Sequence, residues 1–192
     1  MSLLNVHVTE DLALVAVDTD GVNPAGKHFE ICKLYPLAHA NTLLAGQGER
    51  RFLLEAFSWI CMADGDVDYD VIVDSMPGML RRMAEGARAH RAPDLRYTIA
   101  VVGFSPKAER VCGRWYEGVV TGEFEVHSLG SRVSPWPFPD RAAIPADEAS
   151  HVELARRQTA WHKTQGVAGG GRLLLAELTR DGMSSRSITD LG

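Results

Sequence analysis

Residues 3–19, LLNVHVTEDLALVAVDT, decide the fold. Leu4, Val6 and Val8 alternate with Asn5, His7 and Thr9, the pattern of a strand covered on one face. Leu12 to Val17 is apolar at every position, and a run of that length predicts a strand covered on both faces. Glu10 and Asp11 supply the turn between them. In an antiparallel hairpin with that turn, Thr9 faces Leu12 and Leu3 faces Asp18. Ser2 then stands beside Asp18 and Thr19, at the open end of the hairpin.

Working outward, Gly21, Pro24 and Gly26 mark residues 19–30 as a loop. A short strand pair follows, at Phe29–Leu34 and Asn41–Ala45, running into Ala45-Gly46-Gln47-Gly48. Over residues 49–62, Phe52, Leu53, Ala56, Trp59 and Ile60 recur at helical spacing. A second helix, 69–90, carries Val71, Ile72, Met76, Met79, Leu80 and Met83 on one stripe. Pro77 in its middle predicts a kink or a split. Arg96–Gly103 and Ala108–Tyr116 read as strands joined by Ser105-Pro106-Lys107. Residues 129–147, with Pro135, Pro137, Pro139 and Pro145, read as an irregular surface segment. Asp147–Thr164 is a third helix, with Asp147 or Ser150 as its cap. A glycine-rich loop over Gly166–Gly171 precedes a last hairpin, Leu173–Leu178 and Ser185–Thr189, turning at Asp181-Gly182.

The order is strands, two helices, strands, one helix, strands. Without β–α alternation a Rossmann sheet is not expected. Two consecutive helices covering one sheet and the third covering another predict an α+β fold. Its layers form a four-layer α-β-β-α sandwich of two antiparallel sheets flanked by helices. Such a sandwich also explains a strand apolar on both faces. Residues 1–192 are expected to form a single domain.

Twenty basic residues stand against 25 acidic ones, a net charge of −5, which does not suit a non-specific nucleic-acid binder. Arg81, Arg82, Arg88 and Arg91 read as a solvated helix face. No segment approaches the ~18–20 apolar residues of a membrane span, and the first residues do not read as a signal peptide. A cytoplasmic protein with no membrane partner is expected. Cys32, Cys61 and Cys112 are too far apart in sequence for a metal clip or a C-x-x-C redox motif and are expected as buried free thiols. Asp64, Asp66, Asp68 and Asp70 alternate like a calcium loop. Tyr69 and Ser75 fall where an EF-hand needs glycine and glutamate, so a solvated turn ending in a helix cap is the reading. His151 and His162 share a helix face but lack a carboxylate partner at ligand spacing. Trp136 and Phe138 are candidates for docking on a partner subunit or for ordinary loop packing.

One constellation carries chemistry. Removal of Met1 would leave Ser2 with a free α-amine, whose ordinary pKa of about 7.7–8.0 suits a base at neutral pH. That amine would take the Ser2 hydroxyl proton directly or through water. Lys33 is the nearest ammonium candidate; beside the amine it would hold the amine neutral. Asp18 would keep Lys33 charged and oriented. Backbone N–H groups around Gly46 and Gly48 are candidates for an oxyanion hole, because glycine lets the chain expose them.

Leu12 to Asp18-Thr19, then Lys33-Leu34, then Leu44-Ala45-Gly46-Gln47-Gly48 before a helix resembles the proteasome β-subunit family of N-terminal nucleophile hydrolases, nearest to the bacterial HslV-type peptidase. Val101-Val102-Gly103-Phe104 is similar to the family's strand ending in Gly-Phe. Ser128-Leu129-Gly130-Ser131 resembles its Gly-Ser loop, and Gly169-Gly170-Gly171-Arg172-Leu173 the glycine pair before its last strands. The resemblance implies a threonine/serine-type hydrolase acting on peptide or small amide substrates through an acyl-Ser2 intermediate. Asp18 and Lys33 take the family's aspartate and lysine, Gly46 or Gly48 the oxyanion glycine, and Ser131 the serine supporting the nucleophile. It implies no cofactor and no metal. It also implies a homo-oligomeric ring and, if the HslV type is followed, an ATP-driven unfoldase partner.

The chain departs from the family in several places. Serine replaces threonine, Asp20 stands for the usual arginine, and Gln165, Gly166, Ala168 and Gly169 stand where an Asp and a Ser precede the glycine pair. The proline-rich segment replaces a helix start. A catalytically inactive structural or binding protein on the same fold is the rival expectation, and a small-molecule amidase a third.

Overall fold

The computed structural model describes residues 3–23, 25–62, 67–90, 94–134, 145–165 and 170–191. Among them the chain is mixed α+β, with three α-helices and three antiparallel sheets. The opening hairpin is strands β1 (Leu4–Val8) and β2 (Leu12–Asp18). Leu4 pairs with Val17 and Val8 with Ala13, the register expected from a turn at Glu10-Asp11. Thr9 closes the turn by donating its N–H to Leu12 O at 2.8 Å.

The two-stranded ribbon β3 (Asp20–Val22) and β4 (His28–Glu30) occupies the expected loop. Next come β5 (Leu34–Leu37) and β6 (Thr42–Gly48), helices α1 (Arg50–Cys61) and α2 (Tyr69–Ala89), then β7 (Arg96–Ser105) and β8 (Arg110–Val119). Strands β9 (Phe124–Ser128) and β10 (Ser131–Ser134) lead toward α3 (Glu148–Thr164), and β11 (Arg172–Thr179) and β12 (Gly182–Asp190) close the chain. One five-stranded sheet has the order β10-β1-β2-β11-β12, the other β5-β6-β7-β8-β9.

Three apolar clusters join these elements. Phe52, Phe57, Ile72, Met76 and Leu80 of α1 and α2 pack with Leu44, Ile99, Val101 and Tyr116 of the second sheet. Ala13, Val15 and Val17 of β2 meet Leu43, Ala45, Ala100, Val102 and Trp115 of that same sheet, on its other face. Ala16 of β2 turns the opposite way, clustering with Leu3, Leu173, Leu175 and Ala155 of α3. Strand β2 is thus covered on both sides, as its unbroken apolar run predicts. Each fully buried Val or Leu side chain contributes about 1.5–3 kcal/mol of transfer free energy.

The helices begin where side chains cap them. Glu49 accepts the Phe52 N–H at 2.6 Å, Asp68 the Val71 N–H at 2.9 Å, and Asp147 the Ser150 N–H at 2.8 Å. Helix α2 runs through Pro77 without the expected split. Proline leaves the carbonyl four residues earlier, that of Val73, without its helical donor. The Tyr116 hydroxyl donates to Val73 O at 3.4 Å and replaces it.

Several expectations need correction. Residues 131–134 of the expected irregular segment form β10 on the edge of β1, while 135–144, with Trp136 and Phe138, lie outside the described residues. Val71 is exposed rather than in the α2 stripe. The thiols are free but not buried: Cys32 and Cys61 are exposed and Cys112 half-buried. An apolar stretch of sequence does not say which of its residues turns outward. Arg81, Arg82 and Arg88 are exposed, with Arg82 over the Trp59 ring at 5.1 Å; Arg91 lies outside the described residues. So do Asp64, Asp66 and most of the Gly166–Gly171 loop, whereas Asp68 is the helix cap expected. No described helix is long and apolar enough to cross a membrane.

Candidate active site

The end of β2 delivers Asp18 to a buried position between β1 and β11, opposite Leu173. Its Oδ1 accepts two hydrogen bonds, from the Leu3 N–H at 2.8 Å and from Lys33 Nζ at 2.8 Å. Lys33 is buried too, just ahead of β5, and also donates to Asp20 O. The pair therefore has little water to screen it. Burial pushes the Asp18 carboxyl above its ordinary pKa of 3.8, and Lys33 and the Leu3 N–H pull it back. Asp18 Oδ2 is buried and has no hydrogen-bond partner among the described residues.

The surroundings hold this pair by backbone bonds. Thr19 donates its N–H to Arg172 O at 2.9 Å, and its hydroxyl accepts the Arg172 N–H at 2.8 Å. Gly171, at φ +70, lies so close that a Cβ there would sit 2.6 Å from Thr19 Oγ1. Only glycine meets both demands. Lys33 O accepts the Gly46 N–H at 3.0 Å, so one residue reaches β2 with its side chain and β6 with its backbone.

That bond occupies the Gly46 N–H, and Gly46 is buried against Leu53. Gly48 is different. It ends β6 at φ +107, exposed, where a Cβ would strike Arg96 O at 2.2 Å. Backbone groups alternate between a strand's two edges, so Gly48 shares the edge of Gly46, past the point where β5 pairing stops. Of the two glycines, Gly46 has its N–H engaged and Gly48 is the exposed one.

A chain of polar side chains runs past this end of the hairpin. Gln47 donates to the Ser134 hydroxyl at 2.6 Å, and Ser134 N donates to Asn5 Oδ1 at 3.3 Å. Asn5 donates to Gln158 Oε1 at 2.6 Å, and Gln158 donates back to Asn5 Oδ1 and to Ser134 O, each at 3.2 Å. Ser134 stands opposite Leu4, one row from Leu3. Ser131 instead stands opposite His7, with its hydroxyl 2.9 Å from Nδ1. Three residue steps along the strand separate the two serines, about 10 Å. Of the two, Ser134, at the close of β10, is the nearer to the Asp18 end. The Ser134-Pro135 step, where the proline-rich segment begins, was the available signal.

Ser2 lies outside the described residues. Of the other sequence candidates, Asp18, Lys33 and Gly46 come together with direct contacts, Gly48 follows along β6, and Ser131 stands apart. His151 and His162 share the buried face of α3, with no hydrogen-bond partner for either ring among the described residues. Burial lowers the His151 pKa from 6.5 to about 4 and lowers that of His162 as well.

No family model and no curated protein matches this chain.

Proposed function

We propose that this chain is an amide hydrolase of the N-terminal nucleophile type, with Ser2 as nucleophile once its amine is free. The observation that carries this reading is the buried Asp18–Lys33 pair, whose carboxylate also holds the N–H of Leu3, the residue that follows Ser2. A lysine desolvated beside the chain's first residues would keep a neighbouring amine neutral, and so basic. The open Asp18 Oδ2 is a further acceptor for a polar group there. In this reading the amine takes the Ser2 proton, Ser2 Oγ attacks the amide carbon, and the Gly48 N–H supports the developing oxyanion. The proton then passes to the leaving amine, and water releases the acyl group from Ser2.

The same reading takes the fold to be a four-layer α-β-β-α sandwich forming one domain. Its support is the three apolar clusters, one between α1, α2 and a sheet, one between the two sheets, and one under α3. With the proteasome-like resemblance go a peptide or small amide substrate, a homo-oligomeric ring and an ATP-driven unfoldase. An inactive scaffold of the same fold is the second reading. It is favoured by the use of Lys33 Nζ as a tie between Asp18 and Asp20 O.

Intact mass spectrometry is the first test: the proposal expects a chain beginning at Ser2. Exposure to an electrophilic peptide should then add one inhibitor mass, and Ser2→Ala should abolish both the adduct and amide turnover. A chain that begins at Ser2, stays unlabelled and behaves like Ser2→Ala would assign the scaffold reading instead.

A further inference from the structure

Glu117 of β8 and Glu125 of β9 are directly opposite each other in the second sheet. Like charges directly opposite each other in a sheet are destabilising, and a cation between them would offset this. His127 follows two residues along β9, on the same face. Its Nε2 lies 3.2 Å from Glu125 Oε2 and 3.9 Å from Glu117 Oε1, and the three potential ligand atoms all lie within 4.8 Å of one another. Nε2 is shielded from solvent yet makes no well-formed hydrogen bond among the described residues.

The other oxygen of Glu117 is already fixed. Oε2 accepts from Trp115 Nε1 at 2.8 Å and from Arg132 Nη2 at 2.9 Å, and the Arg132 guanidinium stacks over the Trp115 ring at 4.6 Å. These contacts aim Oε1 toward His127, as outer partners orient metal ligands elsewhere. Two carboxylates against one guanidinium leave the cluster with one negative charge that a cation would offset.

We infer that Glu117, Glu125 and His127 form a binding site for one divalent cation of the zinc type, unrelated to the Ser2 chemistry. Two oxygens and one imidazole nitrogen suit zinc and its first-row neighbours. Bonds of about 2.0–2.1 Å to a tetrahedral zinc put ligand atoms about 3.3 Å apart, so the 3.2 Å pair already fits and the 3.9 Å pair would draw in. Side-chain exposures of 37% for Glu117, 40% for His127 and 75% for Glu125 leave the site open to an ion from solvent. The fourth position would hold water.

Calorimetric titration of the full chain with zinc chloride tests this. Because Cys32 and Cys61 are exposed thiols, the titration is run on Cys32→Ser/Cys61→Ser, with folding checked by circular dichroism. One zinc per chain is expected. His127→Ala and Glu125→Gln should each weaken it at least about tenfold, the lower range of what losing even an outer partner costs. His28→Ala, at the exposed His28–Asp20 pair, should leave it unchanged. Absence of zinc binding, or binding equally strong in His127→Ala and Glu125→Gln, would overturn the site, whatever the outcome at Ser2.

Discussion

Helices α2 and α3 both bury one face against a sheet, but with opposite chemistry. The buried face of α2 is Ile72, Met76, Met79, Leu80 and Met83, which need only to be fitted together. That of α3 is His151, Gln158, Thr159 and His162 around Leu154 and Ala155. Depth alone therefore does not make a helix a passive wall. An apolar face is held by area and shape and is indifferent to pH. A polar buried face answers to protonation, as at His151, and, where it is partnered, as at Gln158, to the loss of a partner.

The largest expected effect lies on the apolar side. Leu80→Ala should cost about 2–5 kcal/mol, a transfer loss plus a cavity, measured by urea unfolding. The cost should be the same at pH 7.5 and at pH 4.5. A strong pH dependence would break the distinction between the two helices.

Next comes the acid response of α3. His151 has a folded pKa of about 4, below the unfolded value of 6.5. Between those values the unfolded chain takes up a proton that the folded chain refuses. The stability held above about pH 6.5 is thus lost as pH falls toward 4, by about 3 kcal/mol for this one residue. His162 shifts in the same direction. Between pH 6.5 and 4 wild type should lose more stability than His151→Leu; equal losses would show that His151 is not the sensor.

The smallest effect is expected at Gln158, which joins α3 to Asn5 and Ser134. Gln158→Leu should cost about 1–3 kcal/mol, because it strands buried partners rather than opening a large hole. Under the hydrolase proposal it should also lower amide turnover, since β1 and β10 are the strands it steadies beside the Asp18 end. A variant as stable as wild type would place α3 with α2 as an apolar support.

Much of this was legible beforehand, and what was missed has local causes. The β1–β2 register could be read because turn position and pairing are linked by geometry. Helix caps at Asp68 and Asp147 could be read because they act within three residues. The continuity of α2 at Pro77 could not, because the rescuing hydroxyl is on Tyr116, in another element. Strands β9 and β10 were missed because FEVHS and SRVS lie on sheet edges, where no strong apolar alternation is required. Ser131 was legible as half of a Gly-Ser pair, whereas the β-sheet row that sets Ser134 opposite Leu4 was not.

By itself, the sequence determined the hairpin, the apolar strand covered on both faces, the three helices and the placing of Asp18 beside Leu3. Those follow from periodicity and from interactions a few residues apart. Only the tertiary structure decided that Lys33 reaches Asp18, that Gly46 spends its N–H on Lys33, and that Glu117, Glu125 and His127 converge. The physical reason is that a contact between elements depends on which strands become neighbours and in what register. Burial of the whole chain sets that arrangement, rather than any short stretch of residues.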